Sequence, residues 1–317
     1  MKKIIVTGAN GFIGRSLCKV LSKSDKSIKA YSRHLNQDVN FSRLMQIQVE
    51  DIGSKPNWKD EFQGYDCVVH CAGKTNSLNY KDNNLKFYLA MNSEYTKNLA
   101  QAAAAAGVKR FIFLSSIKVN GETTEEGENC KKFFNTDSAN PKDYYAISKF
   151  EAEKALWKIA RETNLEVVVV RLPLVYGKGV KGNLDRLKKL INLNIPLPFG
   201  GINNKRSIIG IDNTVDFLIK CIEHPNAAGK IFLVSDAKDI STSNLIKLMG
   251  LYMNKSVKLY KLPIFLLKLS ALIFGKKKEI ERLLSSLQVD SEYTKKILSW
   301  TPPISVVEGI RRMVQGK

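Results

Sequence analysis

Near its start this chain has a short apolar run, Ile4 to Thr7, that opens into Gly8-Ala9-Asn10-Gly11-Phe12-Ile13-Gly14, with helical spacing setting in near Arg15. A strand, a glycine turn and a helix in that order leave few folds open. Glycines at 8, 11 and 14 permit a tight turn, a close backbone approach to a pyrophosphate and close helix packing, with the phosphates over the helix N-terminus. A second strand, Ser27 to Tyr31, follows at the distance a βαβ unit requires. The pattern predicts an α/β fold, a doubly wound parallel sheet of the Rossmann type, binding a dinucleotide at its strand ends. Gly8, Asn10, Gly11, Phe12, Ile13 and Gly14 are the first candidate cofactor-binding residues.

The residues after the second strand are Ser32-Arg33-His34. An acidic side chain there would bind a ribose 2'-hydroxyl, whereas an arginine pairs with a 2'-phosphate. With no Asp or Glu at this tip, NADP(H) is expected over NAD(H), with Arg33 as its phosphate ligand. NAD(H) becomes the cofactor if Arg33 is only a solvated loop charge. Val49-Glu50-Asp51-Ile52 follows a candidate third strand, and Asp51 with Ile52 is expected at the adenine. Cys67 to Gly73 reads as a buried strand ending in small residues, and Cys71, Ala72 and Gly73 leave room for the dinucleotide. His70 within it is read as packed or hydrogen-bonded.

Composition narrows the class. With 317 residues, 44% hydrophobic and 25% charged, the chain has enough apolar material for a sizeable core in one large or two smaller domains. Lys2-Lys3 runs directly into the first strand without an apolar leader, so a cytoplasmic location is expected. The five cysteines have neither disulfide-framework nor metal spacing and are read as reduced thiols, with no metal site. A net charge of +20 attracts polyanions, anionic lipid and phosphorylated ligands, but no nucleic-acid motif accompanies it. Lys255, Lys258, Lys261, Lys268, Lys276, Lys277 and Lys278 flank an apolar stretch from Leu262 to Phe274, too short to span a bilayer. That stretch is expected to pack on the core with its lysines snorkelling; the other reading is a weak association with the inner membrane face.

The chemistry concentrates at Tyr144-Tyr145-Ala146-Ile147-Ser148-Lys149, where Phe150, Ala152, Ala155, Leu156 and Ile159 continue at helical spacing. Tyr145 and Lys149 therefore share one helix face. A nearby ammonium lowers a phenol's pKa from about 10, so the hydroxyl can give or take a proton near neutrality. The same pair elsewhere is often only a half-buried ring beside a solvated charge. Upstream, a helix from about Asn92 to Ala106 with an alanine run suits close packing on a sheet. Arg110 to Leu114 forms a strand with Ser115-Ser116-Ile117-Lys118-Val119-Asn120-Gly121 at its carboxyl end, where open α/β sheets bind ligands. A hydroxyl there could hold the substrate oxygen that Tyr145 protonates.

Taken together, TGANGFIG at Thr7 to Gly14, SSIKVNG at Ser115 to Gly121, YAISK at Tyr145 to Lys149, RLPLVYG at Arg171 to Gly177, KRSIIGIDN at Lys205 to Asn213 and a terminal LSWTPPISVVEGI resemble the extended short-chain dehydrogenase/reductases, specifically the sugar-nucleotide epimerase/dehydratase group. The resemblance implies Tyr145 as acid/base, Lys149 as ribose ligand and pKa modulator, and Ser116 as the catalytic hydroxyl. It directs Arg206 at the diphosphate of a sugar nucleotide and brings Lys118, Asn120 and Asn183 to the same ligand. Asn120 departs from the Tyr many relatives carry. A smaller C-terminal substrate-binding lobe is implied, with a dinucleotide-binding domain of 1–172 plus about 206–236 and a substrate lobe of about 173–205 plus 237–317. The likeness is to the subgroup of UDP-4-keto-6-deoxy-N-acetylglucosamine 4-reductases serving bacterial surface polysaccharide such as lipopolysaccharide. The expected activity is thus NADP(H)-dependent reduction of a nucleotide-diphosphate 4-keto sugar, UDP-2-acetamido-2,6-dideoxy-4-hexulose. The alternative is a UDP-glucose or UDP-N-acetylglucosamine 4-epimerase with bound NAD. Members of the group are commonly homodimers, which sets that expectation here.

Overall fold

The computed structural model describes residues 1–35, 43–50, 57–75, 84–124, 131–273, 275 and 277–316. In chain order the first half runs β1 (Lys3–Thr7), α1 (Phe12–Leu21), β2 (Ser27–Ser32), β3 (Leu44–Gln48), α2 (Trp58–Phe62), β4 (Cys67–His70), α3 (Leu85–Leu89), α4 (Tyr95–Ala105), β5 (Arg110–Ser116), α5 (Tyr144–Glu162) and β6 (Glu166–Leu172). The second half runs β7 (Leu174–Tyr176), α6 (Asn183–Asn192), β8 (Ile208–Gly210), α7 (Ile211–Glu223), β9 (Lys230–Leu233), α8 (Thr242–Tyr252), α9 (Ile264–Ile273), α10 (Lys277–Leu284), α11 (Glu292–Leu298) and α12 (Val306–Gln315).

Seven strands form one parallel sheet in the order β3-β2-β1-β4-β5-β6-β9. The chain winds outward from β1 to β3, then crosses back to β4 beside β1, which is the reversal where such sheets bind ligands. Strand alternation divides the core in two. Ile4, Val6, Val69, Ile112, Val168 and Val170 point to the face covered by α1 and α7, and Ile5, Val68, Phe111, Phe113, Val167 and Val169 to the face covered by α2, α4 and α5. Because both faces are covered, the central strands read as unbroken apolar runs.

The long α5 starts where the Asp143 carboxylate accepts the Ala146 N–H at 2.8 Å and buries Ala152, Leu156 and Ile159 against the sheet. The helix expected from about Asn92 begins earlier: α3 runs through a π-helical turn, Ala90–Glu94, into α4. Nothing in amphipathic periodicity announces that turn, which hydrogen bonding alone creates.

The smaller lobe has its own core, built from Leu184, Leu187 and Ile191 of α6, Ile246 and Met249 of α8, and Ile310 and Met313 of α12. It is tied to the sheet side through Asp236, whose carboxylate accepts from the Tyr176 hydroxyl at 2.6 Å, the Asn213 amide at 2.7 Å and the Gly210 N–H at 3.0 Å. Late in the chain Leu298 and Trp300 return to the core under the main sheet, and the Trp300 indole donates to Asp216.

The expectation that Leu262 to Phe274 packs on the core is corrected by α9. Leu267 is buried, but Ile264, Phe265, Leu266, Leu269, Leu272 and Ile273 are 36–72% exposed. A helix at the rim of the lobe contacts it along one narrow line, and this sequence is apolar around most of its circumference. Among the described residues no helix is long and apolar enough to cross a membrane.

Candidate active site

At the carboxyl end of β1 the backbone turns through Gly8 in the left-handed region, φ +68°, and a Cβ there would lie 2.6 Å from the Ala72 nitrogen. A Cβ on Gly14 would lie 2.3 Å from the Gly8 carbonyl oxygen. Only glycine fits either place, so the loop closes on itself and leaves the start of α1 bare for an anion. Phe12 and Ile13 open that helix and pack partly against the sheet core.

Above this turn lies a cavity of about 640 Å³, within the size range of small-molecule sites. Gly8, Asn10, Gly11, Arg33, Cys71, Ala72 and Gly73 line it, as the sequence predicts. Arg33 is exposed there, while the Asn10 amide and the Ser32 hydroxyl both donate to the His34 carbonyl and fix the loop after β2. Asp51 and Ile52 lie outside the described residues; Val49 and Glu50 just before them reach the cavity wall. Lys74 and Lys181 also line the cavity, and neither was singled out by sequence. Lys181 arrives from the smaller lobe, a proximity no local pattern encodes.

His70 is held on both ring nitrogens, Nδ1 2.6 Å from Thr7 Oγ1 and Nε2 2.9 Å from Thr96 Oγ1, and stacks on Phe113. Burial, with the Lys149 charge adding to it, pushes the imidazole down to about 3, so it stays neutral. The packed, hydrogen-bonded reading of this residue agrees with its surroundings.

Tyr145 and Lys149 stand one turn apart near the start of α5, and Ser116 ends β5 beside them. The Tyr145 phenol is pushed up to about 12, chiefly by burial, with its hydrogen bond to Ser116 opposing the rise. This differs from the lowered phenol that the Tyr/Lys spacing predicts. The reason is where the ammonium sits: Lys149 Nζ donates to the Leu114 carbonyl at 2.8 Å and lies 4.5 Å over the Phe113 ring. Burial brings that ammonium down to about 8. Lys149 nonetheless borders the cofactor cavity, since a Cβ on Gly73 would come within 3.0 Å of its Nζ.

A residue from the π-helical turn locks this geometry. The Asn92 amide accepts from the Lys74 N–H at 2.7 Å and donates to the Lys74 carbonyl at 2.9 Å and to Ser148 Oγ at 3.0 Å; Ser148 in turn donates to the Tyr145 carbonyl. Below, Glu153 of α5 pairs with Arg171 of β6 at 2.6 Å and accepts from the Ser115 hydroxyl. Both charges are buried. Arg171 also donates to the Asn120 side-chain oxygen, Oδ1, at 2.9 Å, and the Asn120 Nδ2 donates to the Phe134 backbone carbonyl.

Of the expected sugar ligands, Asn120 is thus buried with both ends of its amide engaged, a strut of the wall where a ligand contact was expected. Lys118 reaches back to the carboxylates of Asp143 and Glu122, bracing the cap of α5. Burial raises Asp143, but hydrogen bonds from Lys118 and the Ala146 N–H overcome it and hold the carboxyl below its usual range. Arg206 lies half-buried between chain segments at 240 and 287, and its guanidinium donates to the carbonyls of Arg282 and Ser285, both at 3.2 Å. Burial and the neighbouring Arg282 charge lower its pKa. Arg282 acts electrostatically on both Arg206 and Asp143, so α10 carries a second cation towards the start of α5. Sequence alone gave no reason to single it out. Asn183 is exposed as the first residue of α6, two positions past the lysine that does reach the cavity. Among the described residues no cluster of acidic, histidine or cysteine side chains could hold a metal.

Residues 4–235 match the model of the NAD dependent epimerase/dehydratase family. The chain is 41% identical over 317 residues to a UDP-glucose 4-epimerase of Vibrio cholerae, covering 99% of this chain and 95% of that protein. It is 23% identical to the N-acetyl-alpha-D-glucosaminyl-diphospho-ditrans,octacis-undecaprenol 4-epimerase of Escherichia coli O157:H7, over 82% of this chain and 75% of that one. The crystal structure of UDP-glucuronic acid 4-epimerase from Bacillus cereus in complex with NAD superposes with a TM-score of 0.79 at 22% identity, covering 99% and 96% of the two chains, a likeness of fold.

Proposed function

The chain belongs to the NAD dependent epimerase/dehydratase family, and from that premise we propose that it is a 4-epimerase of a UDP-hexose that works on a retained nicotinamide dinucleotide. One observation carries the reading. A glycine-lined cavity whose wall at Gly73 meets Lys149, the residue one turn from the Ser116-bonded Tyr145, sits in a chain 41% identical, along its whole length, to a UDP-glucose 4-epimerase. These findings support the epimerase better than the 4-keto-sugar reductase, whose case rested on a likeness to one subgroup and on the missing carboxylate after β2.

The glycine cradle at Gly8 and Gly14 fits a dinucleotide diphosphate at the α1 N-terminus, and the small residues Cys71 to Gly73 fit its planar groups. Bound there, the nicotinamide supplies the chemistry of accepting hydride from a sugar carbon and returning it. Tyr145 takes the proton from the C4 hydroxyl as that carbon is oxidised, and gives it back when the carbon is reduced from the opposite face. Ser116 holds the same oxygen in both steps. Lys149, at the cavity wall beside Gly73, offers its ammonium to the ribose of the bound dinucleotide. Arg206, with Arg282 next to it, offers positive charge to the UDP diphosphate. Lys118 and Asn120 shape the sugar end by bracing its wall. The 1–172 plus about 206–236 unit would hold the dinucleotide and the remainder the sugar nucleotide, in a cytoplasmic homodimer.

NAD(H) is the cofactor of this reading, in line with the family's NAD dependence and the NAD held by the Bacillus cereus 4-epimerase. Arg33, exposed at the cavity after β2, weighs towards NADP(H), and the identity of the bound nucleotide decides between the two. The test is to incubate purified protein with UDP-glucose or UDP-N-acetylglucosamine without added cofactor, follow the 4-epimers by chromatography, and identify the nucleotide released on denaturation. The proposal expects a mixture of 4-epimers and released NAD. Stoichiometric NADPH consumption with a UDP-4-keto sugar, and no epimerisation, would establish the reductase instead.

A further inference from the structure

The surface feature that the reaction leaves unused is α9. On a 3.6-residue helix Phe265, Leu269, Leu272 and Ile273 fall at i, i+4, i+7 and i+8, one continuous stripe, and each is more than half exposed. Exposed apolar patches of this kind mark interaction surfaces rather than ordinary monomer surface. Leu267 on the opposite side is buried in the lobe and anchors the helix with its stripe outward.

The charge around the stripe identifies its partner. From Lys255 to Lys278 the chain carries seven lysines and no acidic residue. Lys261 before the helix and Lys268 on its flank are exposed. On α10 the nearby carboxylates already have cations, Glu279 facing Arg186 and Glu281 facing Lys277, both at 3.9 Å. A second copy of this chain, itself at +20, would bring lysines against lysines. A bilayer rich in anionic lipid offers the opposite charge and an apolar layer together, and α9 is too short to do more than lie in its surface.

We propose that α9 docks the protein on anionic membrane, with Phe265, Leu269, Leu272 and Ile273 inserted at the headgroup boundary and the surrounding lysines on lipid phosphates. This inference is independent of the reaction proposed above. It would place the enzyme at a membrane face without anchoring it there, since lysine pairing at a lipid surface weakens as salt rises.

The experiment is sedimentation of the full chain with vesicles of phosphatidylglycerol and phosphatidylcholine, beside vesicles of phosphatidylcholine alone, at low and high salt. The wild type is expected to pellet with the anionic vesicles at low salt and to remain free with the neutral ones. Phe265→Ser with Leu272→Ser and Ile273→Ser removes exposed side chains only, and should lower the bound-to-free ratio by at least about tenfold. Lys261→Glu with Lys268→Glu should weaken binding to anionic vesicles alone, with circular dichroism unchanged for both variants. No pelleting of the wild type overturns the proposal, as does equal pelleting of the serine variant. A serine variant that halves its mass by light scattering, while the wild type ignores vesicles, would mean the stripe covers a second copy.

Discussion

Lys149 shows how burial changes what a motif means. Its ammonium is brought from 10.5 down to about 8 by burial, so it carries a charge at neutral pH that the folded interior disfavours. Below pH 8 both folded and unfolded chains hold this proton and the penalty is complete. Between about 8 and 10.5 the unfolded chain keeps the proton while the folded one has lost it, so stability from this group rises with pH. At about 1.4 kcal/mol per pH unit the drop corresponds to roughly 3 kcal/mol, an upper figure because Lys149 also donates to Leu114. Lys149→Met should therefore unfold at higher denaturant than the wild type at pH 7, with the gap closing by pH 10. If the ammonium is what lets Tyr145 ionise, kcat/KM of the wild type falls above pH 8, and in Tyr145→Phe it drops about 10²–10⁴-fold at every pH. A pH-independent wild-type profile would remove Lys149 from that role.

Among the elements, α5, β5 and β6 act as one block. Glu153 and Arg171 join helix to strand in the interior, and Ser115 and Asn120 use the same charges to fix the end of β5 on which Ser116 stands. A buried pair of this sort adds little over an apolar pair, but removing one member strands the other without solvent. Glu153→Ala should lower the unfolding free energy by about 3–5 kcal/mol, read from the denaturant midpoint, whereas Glu151→Ala on the exposed side of the same helix should change it by under about 1 kcal/mol. The π-helical turn before α4 has a comparable part. It aims Asn92 at the Lys74 backbone and Ser148 simultaneously, which holds the cofactor-side loop against the Tyr145 helix.

For the whole molecule, a dinucleotide bound in the cavity at the ends of β1, β2 and β4, as proposed, would add contacts only the native sheet can make. Protein stripped of nucleotide should gain about 2.7 kcal/mol of stability at an NAD concentration one hundred times its Kd, seen as a rise in Tm. An equal or larger rise with NADP at lower concentration would give Arg33 the deciding role in cofactor choice. The parallel sheet and the glycine cradle were legible in the residues because each depends on local sequence: unbroken apolar runs in the buried strands, and glycine where a Cβ collides; the 3.6 spacing of α5 put Tyr145 and Lys149 on one face, whereas Ser116 was singled out only through the family resemblance. The smaller lobe was legible only as a change of composition after Pro173. Arg282, Lys181 and Asn92 were not legible, since each reaches the site from an element whose position depends on contacts tens to hundreds of residues away. The same distinction explains the phenol's pKa and the exposure of α9. Sequence determined which side chains lie on one strand or helix face; only the tertiary structure decided which carbonyl an ammonium turns to and which apolar face finds a partner, because burial and distance belong to the packed molecule.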